Sequence, residues 1–274
     1  MSAEAAAPEP LATPAPPRPG DTYVQSFARG LAVIRSFSAD APSQSLSEVA
    51  ARTGLTRAGA RRILLTLEGL GYVESQGRQF RLTPKILDLG FAYLSSLPLW
   101  NLAEPVMEAL VAEVKESCSA AVLDGTELVY VLRVPTHKIM SINLGIGSRL
   151  PAYCTSMGRV LLAGLPAEEL RRRLLASELR ARTPRTVTDP QALETLIAQV
   201  RDQGWCLVNQ ELEEGLVSLA APIRDRGGRT IAALNISGQF NRTPPAYMQE
   251  HFLPKLRDAA QLISQLLSMK SARI

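Results

Sequence analysis

The stretch LSEVAARTGLTRAGARRILLTLEGLGYV, residues 46–73, constrains the fold most, because it places two helix patterns only about three residues apart. Ser45 and Glu48 have the spacing of a capping box, in which each side chain accepts a free backbone N–H at a helix start. Gly54 suits the left-handed residue that ends a helix, and Thr56 suits the cap of the next one. Two helices joined by so short a glycine-containing turn predict a helix-turn-helix.

The second helix of this pair is predicted to have one apolar and one basic face. On a helical wheel at about 100° per residue, one side carries Ala60, Ile63, Leu64, Leu67 and Leu70. The other side carries Ala58, Arg61 and Arg62, with Arg57 at its N-terminal edge. A helix that enters the DNA major groove needs this arrangement, since cations reach base edges and phosphates and a small residue permits close approach. The alternative is a charged face that is merely solvated.

The segments on either side complete a winged-helix pattern. Apolar residues at helical spacing predict a first helix within residues 26–38, and these are Phe27, Leu31, Ile34 and Phe37. After the basic helix, Tyr72–Val73 and Gln79–Leu82 alternate as short strands do, with Gly77 in the turn between them. The hairpin predicts a wing, and Arg78 at its tip is placed for a backbone phosphate.

The net charge of the protein is concentrated in the same region. Nine Lys and Arg residues and five Asp and Glu residues lie between Asp21 and Lys85, an excess of four that equals the net charge of the whole chain. This distribution favours a polyanionic partner. The predicted DNA contacts are Thr56, Arg57, Ala58, Arg61, Arg62 and Arg78, with Gln25 and Arg29 as contacts from an arm.

Several protein classes are disfavoured by composition. No apolar run approaches the ~18 residues of a membrane span, and the Ala/Pro-rich residues 1–20 predict a disordered tail rather than a secretory signal. The three cysteines are far apart, and only two histidines are present, without the spacing of a metal site. We therefore expect a soluble, cytoplasmic protein without disulfides, metal or cofactor.

The chain beyond residue 102 has a mixed pattern of helices and strands. A helix is predicted over 102–117, strand pairs turn at Asp124–Gly125 and Asp225–Gly228, and a long closing helix is predicted over 245–267. Alternation in 138–145 and helices within 155–204 complete the pattern. This order predicts an α+β domain with a mostly antiparallel sheet covered by helices.

A few polar residues interrupt the apolar strands of this domain, which suits a small-molecule pocket. Ser218 lies within GLVSLAAPI, and Asn235 and Ser237 share one face of the next strand. A ligand with a carboxylate would need a cation or several donors for that group. We prefer Arg133, because a strand residue is held more rigidly than a loop residue. The other cations near this segment are His137, Lys138 and Arg149. The alternative is that each cation is a surface residue and each hydroxyl is simply buried and satisfied.

Catalysis is disfavoured by the residues present. No GxSxG turn surrounds Ser156, and Cys154 beside it would need His137 or His251 as a base. The glycine-containing segments GLGYV and GIGSRLP lack the helix and the distant acid of a dinucleotide site. We therefore expect no enzymatic activity.

Four stretches together resemble the IclR family of bacterial transcriptional regulators, namely QSFARGLAVIRSF (25–37), residues 46–73, LPAYCTSMGRVLLAGLP (150–166) and residues 204–237. Within the family, residues 80–100 and 130–153 are most similar to the branch that controls protocatechuate, p-hydroxybenzoate and β-ketoadipate catabolism. The resemblance implies a winged helix, a linker helix and a GAF-like α/β effector domain, assembled as dimers or tetramers on an inverted-repeat DNA operator.

The resemblance also implies which residues line the effector pocket. They are Leu150, Ser156, Met157, Ser218, Asn235 and Ser237, with Val208 and Asn209 at the margin. Met140 and the preferred cation Arg133 complete our set of candidate effector-binding residues. Many family members carry an acidic residue near 208–209, where this chain has Val-Asn. The chain departs from the family pattern at that point, so the resemblance does not imply the polarity of the pocket there.

These predictions divide the chain into a tail (1–20), a winged helix-turn-helix domain (21–85), a linker helix (86–101) and an effector-binding domain (102–274). The apolar linker residues are expected to bury against a partner chain, or alternatively against their own effector domain. They are Leu87, Leu89, Phe91, Leu94 and Leu97. The predicted function is a ligand-responsive DNA-binding regulator of a catabolic operon, whose effector is a small aromatic or β-keto acid. The alternative is a small-molecule sensor or carrier that does not regulate transcription.

Overall fold

Residues 23–96, 99–136 and 144–270 are described by a computed structural model of the protein. The backbone divides into two units, residues 1–92 and 93–274. Each unit has its own hydrophobic core. The predicted linker, 86–101, spans this division.

The first unit is a winged helix-turn-helix, as predicted. Its helices are α1 (Gln25–Arg35), α2 (Leu46–Thr53) and α3 (Arg57–Gly69). Its antiparallel sheet, in the order β1-β3-β2, consists of β1 (Ser43–Ser45), β2 (Val73–Gln76) and β3 (Gln79–Leu82). Strand β1 was not predicted, because residues 42–44 contain turn formers. It exists because Ser43 and Gln44 pair with Arg81 and Phe80 of the wing.

Local capping determines where the two central helices begin and end. The Ser45 amide donates to Glu48 Oε2 at 2.7 Å, and the Glu48 amide donates to Ser45 Oγ at 3.4 Å, which completes the capping box. The Ser45 amide also lowers the pKa of the Glu48 carboxyl. Gly54 has φ 66°, and the Gly59 amide donates to Thr56 Oγ1 at 3.1 Å. The turn between the helices therefore has the predicted structure.

The core of the first unit is smaller than the apolar pattern predicted. It consists of Val33, Val49, Ala50, Ala60, Leu64, Leu67 and Val73. Phe27 and Leu31 are 68% and 43% exposed, because α1 packs through the side that carries Val33 and Ile34. Leu70 is 55% exposed, because it follows the last residue of α3. The prediction that these three residues are buried was wrong for the single chain.

Two helices follow the wing. A short 3-10 turn, Pro84–Ile86, leads into α4 (Leu87–Ser96), and α5 spans Leu99–Val114. The helix predicted over 102–117 therefore begins and ends three residues too late. It stops at Val114 because Lys115 adopts a left-handed conformation, φ 57°, which turns the chain into a strand.

The second unit is built on a six-stranded antiparallel sheet in the order β6-β5-β4-β9-β8-β7. Its strands are β4 (Ser117–Asp124), β5 (Glu127–Val134), β6 (Arg149–Pro151), β7 (Cys206–Asn209), β8 (Leu216–Arg224) and β9 (Thr230–Gln239). The hairpins β4–β5 and β8–β9 turn where predicted. The predicted strand 138–145 falls almost entirely outside the described residues.

Helices cover both faces of this sheet, as predicted. They are α6 (Ser156–Ala163), α7 (Ala167–Ala176), α8 (Pro190–Gln203), α9 (Pro245–Tyr247) and α10 (Leu253–Lys270). One core joins α5 and α10 to one face, and a second core joins α6 and α8 to the other. The closing helix is not continuous, because a π-turn, Met248–Phe252, separates α9 from α10.

Helix α6 is the most enclosed element of the second unit, since all eight of its residues are buried. Gly158 permits this packing. A Cβ there would lie 2.2 Å from the Ala152 carbonyl oxygen and 2.4 Å from its Cα, and backbone atoms cannot move aside as a flexible side chain can.

Gly158→Ala is therefore expected to lower the free energy of unfolding of the second unit by about 3 kcal/mol, as overpacking against backbone does. Urea unfolding followed by circular dichroism measures the change. Gly145→Ala is the matched control, because no atom of the described residues lies within 4 Å of the position that its Cβ would take. Equal unfolding midpoints for the two variants would contradict this account of α6.

Candidate functional site

Four exposed arginines of the first unit form what we call the arginine surface. Arg57, Arg61 and Arg62 lie on α3, and Arg78 lies at the turn between β2 and β3. Within the described part of the chain, none of the four forms an ion pair, whereas Arg81 of the wing is bound to Glu74 at 2.6 Å. Their charges are thus available to an external anion.

The other predicted DNA contacts lie on α1, on α3 and at the N-cap of α3. Ala58 is exposed on the first turn of α3, and Thr56 caps the same helix. Gln25 and Arg29, the predicted arm contacts, are exposed on helix α1. Their contact with DNA stays a prediction.

A cavity lies in the second unit between the sheet and the N-terminal end of α6. Seven of the nine predicted effector-binding residues line it: Arg133, Leu150, Ser156, Met157, Ser218, Asn235 and Ser237. Val208 also lines it, and strand alternation explains why the adjacent Asn209 does not. Met140 lies outside the described residues, as do His137 and Lys138.

The polar residues of the cavity form one hydrogen-bonded network. Ser156 Oγ and Ser218 Oγ are 2.7 Å apart, which joins α6 to β8. Asn235 Nδ2 donates to Ser218 Oγ at 3.1 Å and to Ser237 Oγ at 2.9 Å. Asn235 Oδ1 accepts the Ser119 amide at 3.0 Å, which fixes the orientation of the Asn235 side chain.

Strand register explains why these residues converge. Ser237 of β9 pairs with Ser218 of β8 and with Ser117 of β4, while Asn235 pairs with Ser119. The row Ser117–Ser237–Ser218 and the row Ser119–Asn235 both face α6, because residues two apart on a strand point to the same side. Ser117 and Ser119 were missed by sequence reasoning, although two serines at i and i+2 in the apolar stretch SCSAAV were a signal.

Arg133 supplies positive charge to the cavity. Its Nη1 lies 3.4 Å from the Oγ of Ser119, the residue that pairs with Arg133 on strand β4. Among the described residues, no other lysine or arginine lines the cavity. Arg149 binds Glu127 at 2.7 Å and Asp124 at 2.8 Å outside the cavity lining, so its charge is already compensated.

Five further residues line the cavity without having been predicted for that role: Tyr130, Leu144, Thr155, Leu212 and Leu216. Cys154 also lines it, and burial raises the pKa of Tyr130 to about 12 and the pKa of Cys154 to about 11. Both groups are therefore neutral at pH 7. The described lining of the cavity offers neutral donors, apolar walls and the Arg133 guanidinium, which suits the binding of a small organic anion.

A buried ion pair lies behind the α6 wall of the cavity, and sequence reasoning missed it. Arg159 Nη1 and Nη2 donate to Glu211 Oε1 and Oε2 at 2.7 and 2.6 Å, and Arg159 Nε donates to the Tyr153 carbonyl at 2.8 Å. Arg159 is 3% exposed and Glu211 is 8% exposed.

The described residues contain neither a metal-binding cluster nor a membrane-spanning helix. Within residues 23–96, 99–136 and 144–270, no group of three His, Cys, Asp or Glu residues is arranged to hold a metal ion. Over the same residues, no helix combines the length and the apolarity required to span a bilayer.

Two protein-family descriptions match this chain. The IclR helix-turn-helix domain matches residues 26–77, and the C-terminal domain of the bacterial transcriptional regulator IclR matches residues 91–265. The first match covers α1 to the wing turn. The second contains the whole cavity.

Curated relatives align with most of the chain. The Pca regulon regulatory protein of Pseudomonas putida is 45% identical over 240 residues, which cover 87% of this chain and 82% of that protein. The p-hydroxybenzoate hydroxylase transcriptional activator of Acinetobacter baylyi is 38% identical over 253 residues, covering 90% and 93%.

Solved structures agree with this assignment. A transcriptional regulator from Rhodococcus sp. RHA1 has a TM-score of 0.82 at 50% identity, covering 90% of this chain and 99% of that one. An IclR homolog from Microbacterium hydrocarbonoxydans in complex with 4-hydroxybenzoate has a TM-score of 0.78 at 29% identity, covering 89% and 99%. These findings decide for the regulator over the sensor or carrier alternative. The chain belongs to the IclR family of bacterial transcriptional regulators, and it is a ligand-responsive DNA-binding protein rather than an enzyme.

Proposed function

We propose that the protein controls an operon for the breakdown of aromatic acids and that its effector is protocatechuate, p-hydroxybenzoate or β-ketoadipate. The observation that carries the proposal is the joint placement of Arg133 and the Ser/Asn network in one otherwise apolar cavity. The names of the relatives support it, since they concern the Pca regulon and p-hydroxybenzoate hydroxylase.

The cavity suits a ligand with an oxygen group at each end. Arg133 lies on β5, whereas Ser218 lies on β8, three strands away in the sheet. With strands about 4.8 Å apart and the long Arg133 side chain reaching inward, a carboxylate at Arg133 leaves a para-hydroxyl or a second carboxylate near Ser156 and Ser218. The apolar Leu150 and Met157 can contact a ring or an alkyl chain between these ends.

The DNA-binding form is proposed to be a dimer or tetramer on an inverted-repeat operator in the bacterial cytoplasm. Val24 at the N-cap of α1, Phe27 and Leu31 of α1, and Leu87 and Phe91 of α4 are exposed in the single chain. Exposed apolar groups of this number favour burial by a second copy. In this proposal residues 21–85 bind DNA, residues 86–101 connect, and residues 102–274 bind the effector.

A thermal-shift panel of aromatic acids and their ring-cleavage products tests the effector class. At a ligand concentration 100 times Kd, stabilisation of about 2.7 kcal/mol is expected, which raises Tm by about 5–10 °C. Ser237→Leu is the matched control, because it fills the cavity and should remove the shift. No shift from any aromatic or β-keto acid in the wild type would refute the proposed class.

A further inference from the structure

The buried Arg159–Glu211 pair joins two walls of the effector cavity. Arg159 lies one turn after Ser156 on α6, whose first residues form one wall. Glu211 precedes Leu212 in segment 210–216, and Leu212 and Leu216 form the facing wall. The ion pair thus crosses from one wall to the other without contributing a lining atom itself.

Glu211 also accepts hydrogen bonds from a third segment of the chain, residues 183–187. The Val187 amide donates to Glu211 Oε2 at 3.1 Å, and Thr186 Oγ1 donates to the Glu211 carbonyl at 2.6 Å. Thr183 Oγ1 donates to the Gln210 carbonyl at 2.7 Å. Residues 183–187 are thereby attached to the start of segment 210–216.

The backbone of segment 210–216 is held in a conformation that needs such support. Gln210 has φ 60°, in the left-handed region that non-glycine residues rarely adopt, and its side chain accepts the Gly215 amide at 2.9 Å. Conformations of this kind persist where surrounding contacts determine them. The bidentate contact of Arg159 with Glu211 reaches this part of the segment, one residue after Gln210.

A buried ion pair is a weak means of stabilising a fold, because the desolvation of two charges offsets their attraction. An apolar pair of similar volume often stabilises as well or better. What an apolar pair lacks is direction, since the planar fork of an arginine and a carboxylate fix each other's orientation. An orientation fixed in this way is a geometric effect that an apolar pair would not supply.

We propose that Arg159 and Glu211 are positioning residues for effector binding: the pair holds Leu212 and Leu216 at the distance that gives the cavity its affinity and its selectivity. The proposal rests on the proposed function of the cavity. The pair touches no ligand and acts through segment 210–216.

The test replaces both charges together, as Arg159→Met with Glu211→Met. Arg171→Met with Glu194→Met is the matched control, because that pair lies on the helices α7 and α8 and is absent from the cavity lining. Three quantities are measured: Tm without ligand, hydrogen exchange of a peptide covering 209–217, and Kd for 4-hydroxybenzoate and 3-hydroxybenzoate.

We expect the double variant to keep its Tm, to exchange amides of segment 210–216 about tenfold faster, and to bind 4-hydroxybenzoate at least about tenfold more weakly. The ratio of the Kd values for 3-hydroxybenzoate and 4-hydroxybenzoate should approach one. A purely structural pair would change Tm and leave the isomer ratio as it is. The control variant should match the wild type in all three measurements.

Unchanged exchange in segment 210–216 would overturn the proposal, as would faster exchange with unchanged Kd and isomer ratio. If the double variant does not fold, Arg159→Lys decides, because it keeps both charges and removes the planar fork that orients Glu211. Unchanged exchange and Kd in that variant would overturn the proposal equally. If the wild type binds neither isomer, the proposed effector class fails, and the exchange measurement alone decides on the ion pair.

Discussion

Replacing Arg61 and Arg62 together with alanine is expected to lower operator affinity about a hundredfold or more at 0.15 M salt, because each substitution takes away a cation that binds a phosphate or a base. The two side chains project from α3 beside Arg57, while Leu64 and Leu67 of the same helix are buried in the domain core. The substitutions therefore leave the fold intact and remove only charge from the arginine surface.

Salt dependence separates electrostatic binding from other causes of weaker affinity. The plot of log K against log salt has a negative slope. Its magnitude should fall by about 0.9 for each phosphate that a chain no longer neutralises. Fluorescence anisotropy with an operator duplex at several salt concentrations measures it. The matched control is Arg171→Ala with Arg172→Ala, two adjacent exposed arginines on α7.

An unchanged slope and affinity in the Arg61/Arg62 variant would remove α3 from the DNA interface. Single substitutions then assign the roles of Arg57, Arg61, Arg62 and Arg78. Substitution of an arginine bound to phosphate should weaken binding to all sequences equally, whereas substitution of one that reads a base should also relax the preference for the operator by about 1–3 kcal/mol.

The first unit was predictable from sequence because its signals are local. The capping box of Ser45 and Glu48, the left-handed Gly54 and the Thr56 cap each involve residues within three positions of one another. Strand β1 was missed because it forms by pairing with β3, more than thirty residues away, and its own residues carry no strand pattern. The exposure of Phe27 and Leu31 was missed because periodicity shows an apolar face and does not show what covers it.

The cavity was predictable to the extent that strand alternation reports it. Asn235, Ser237 and Ser218 were found because polar residues interrupt apolar strands. The same alternation directs Val208, and not the adjacent Asn209, toward the cavity. Arg159 and Glu211 were missed because their fifty-two-residue separation carries no pattern, and a charged residue in a short helix ordinarily indicates a solvent face. The end of α5 was missed because a lysine at positive φ has no sequence signal.

Replacing Arg133 with leucine is expected to weaken the binding of an aromatic carboxylate by about 30- to 150-fold, or about 2–3 kcal/mol, which is the range for charge-assisted hydrogen bonds. Arg133 lines the cavity, and its Nη1 contacts Ser119 Oγ at 3.4 Å, so a carboxylate there can bind the guanidinium fork. Calorimetry with 4-hydroxybenzoate measures the change.

A neutral analogue makes the test specific for charge. The wild type should bind 4-hydroxybenzoate more tightly than 4-hydroxybenzamide, and Arg133→Leu should abolish this preference while the amide keeps most of its affinity. Arg133→Lys retains the charge without the planar fork and should give an intermediate loss of affinity for the acid. Arg149→Leu is the control, because Arg149 precedes the cavity residue Leu150 but is bound to Glu127 and Asp124 outside the cavity lining. Equal losses of affinity for acid and amide would mean that Arg133 shapes the cavity wall without binding the carboxylate. The Ser/Asn network would then be the described group that binds the anion.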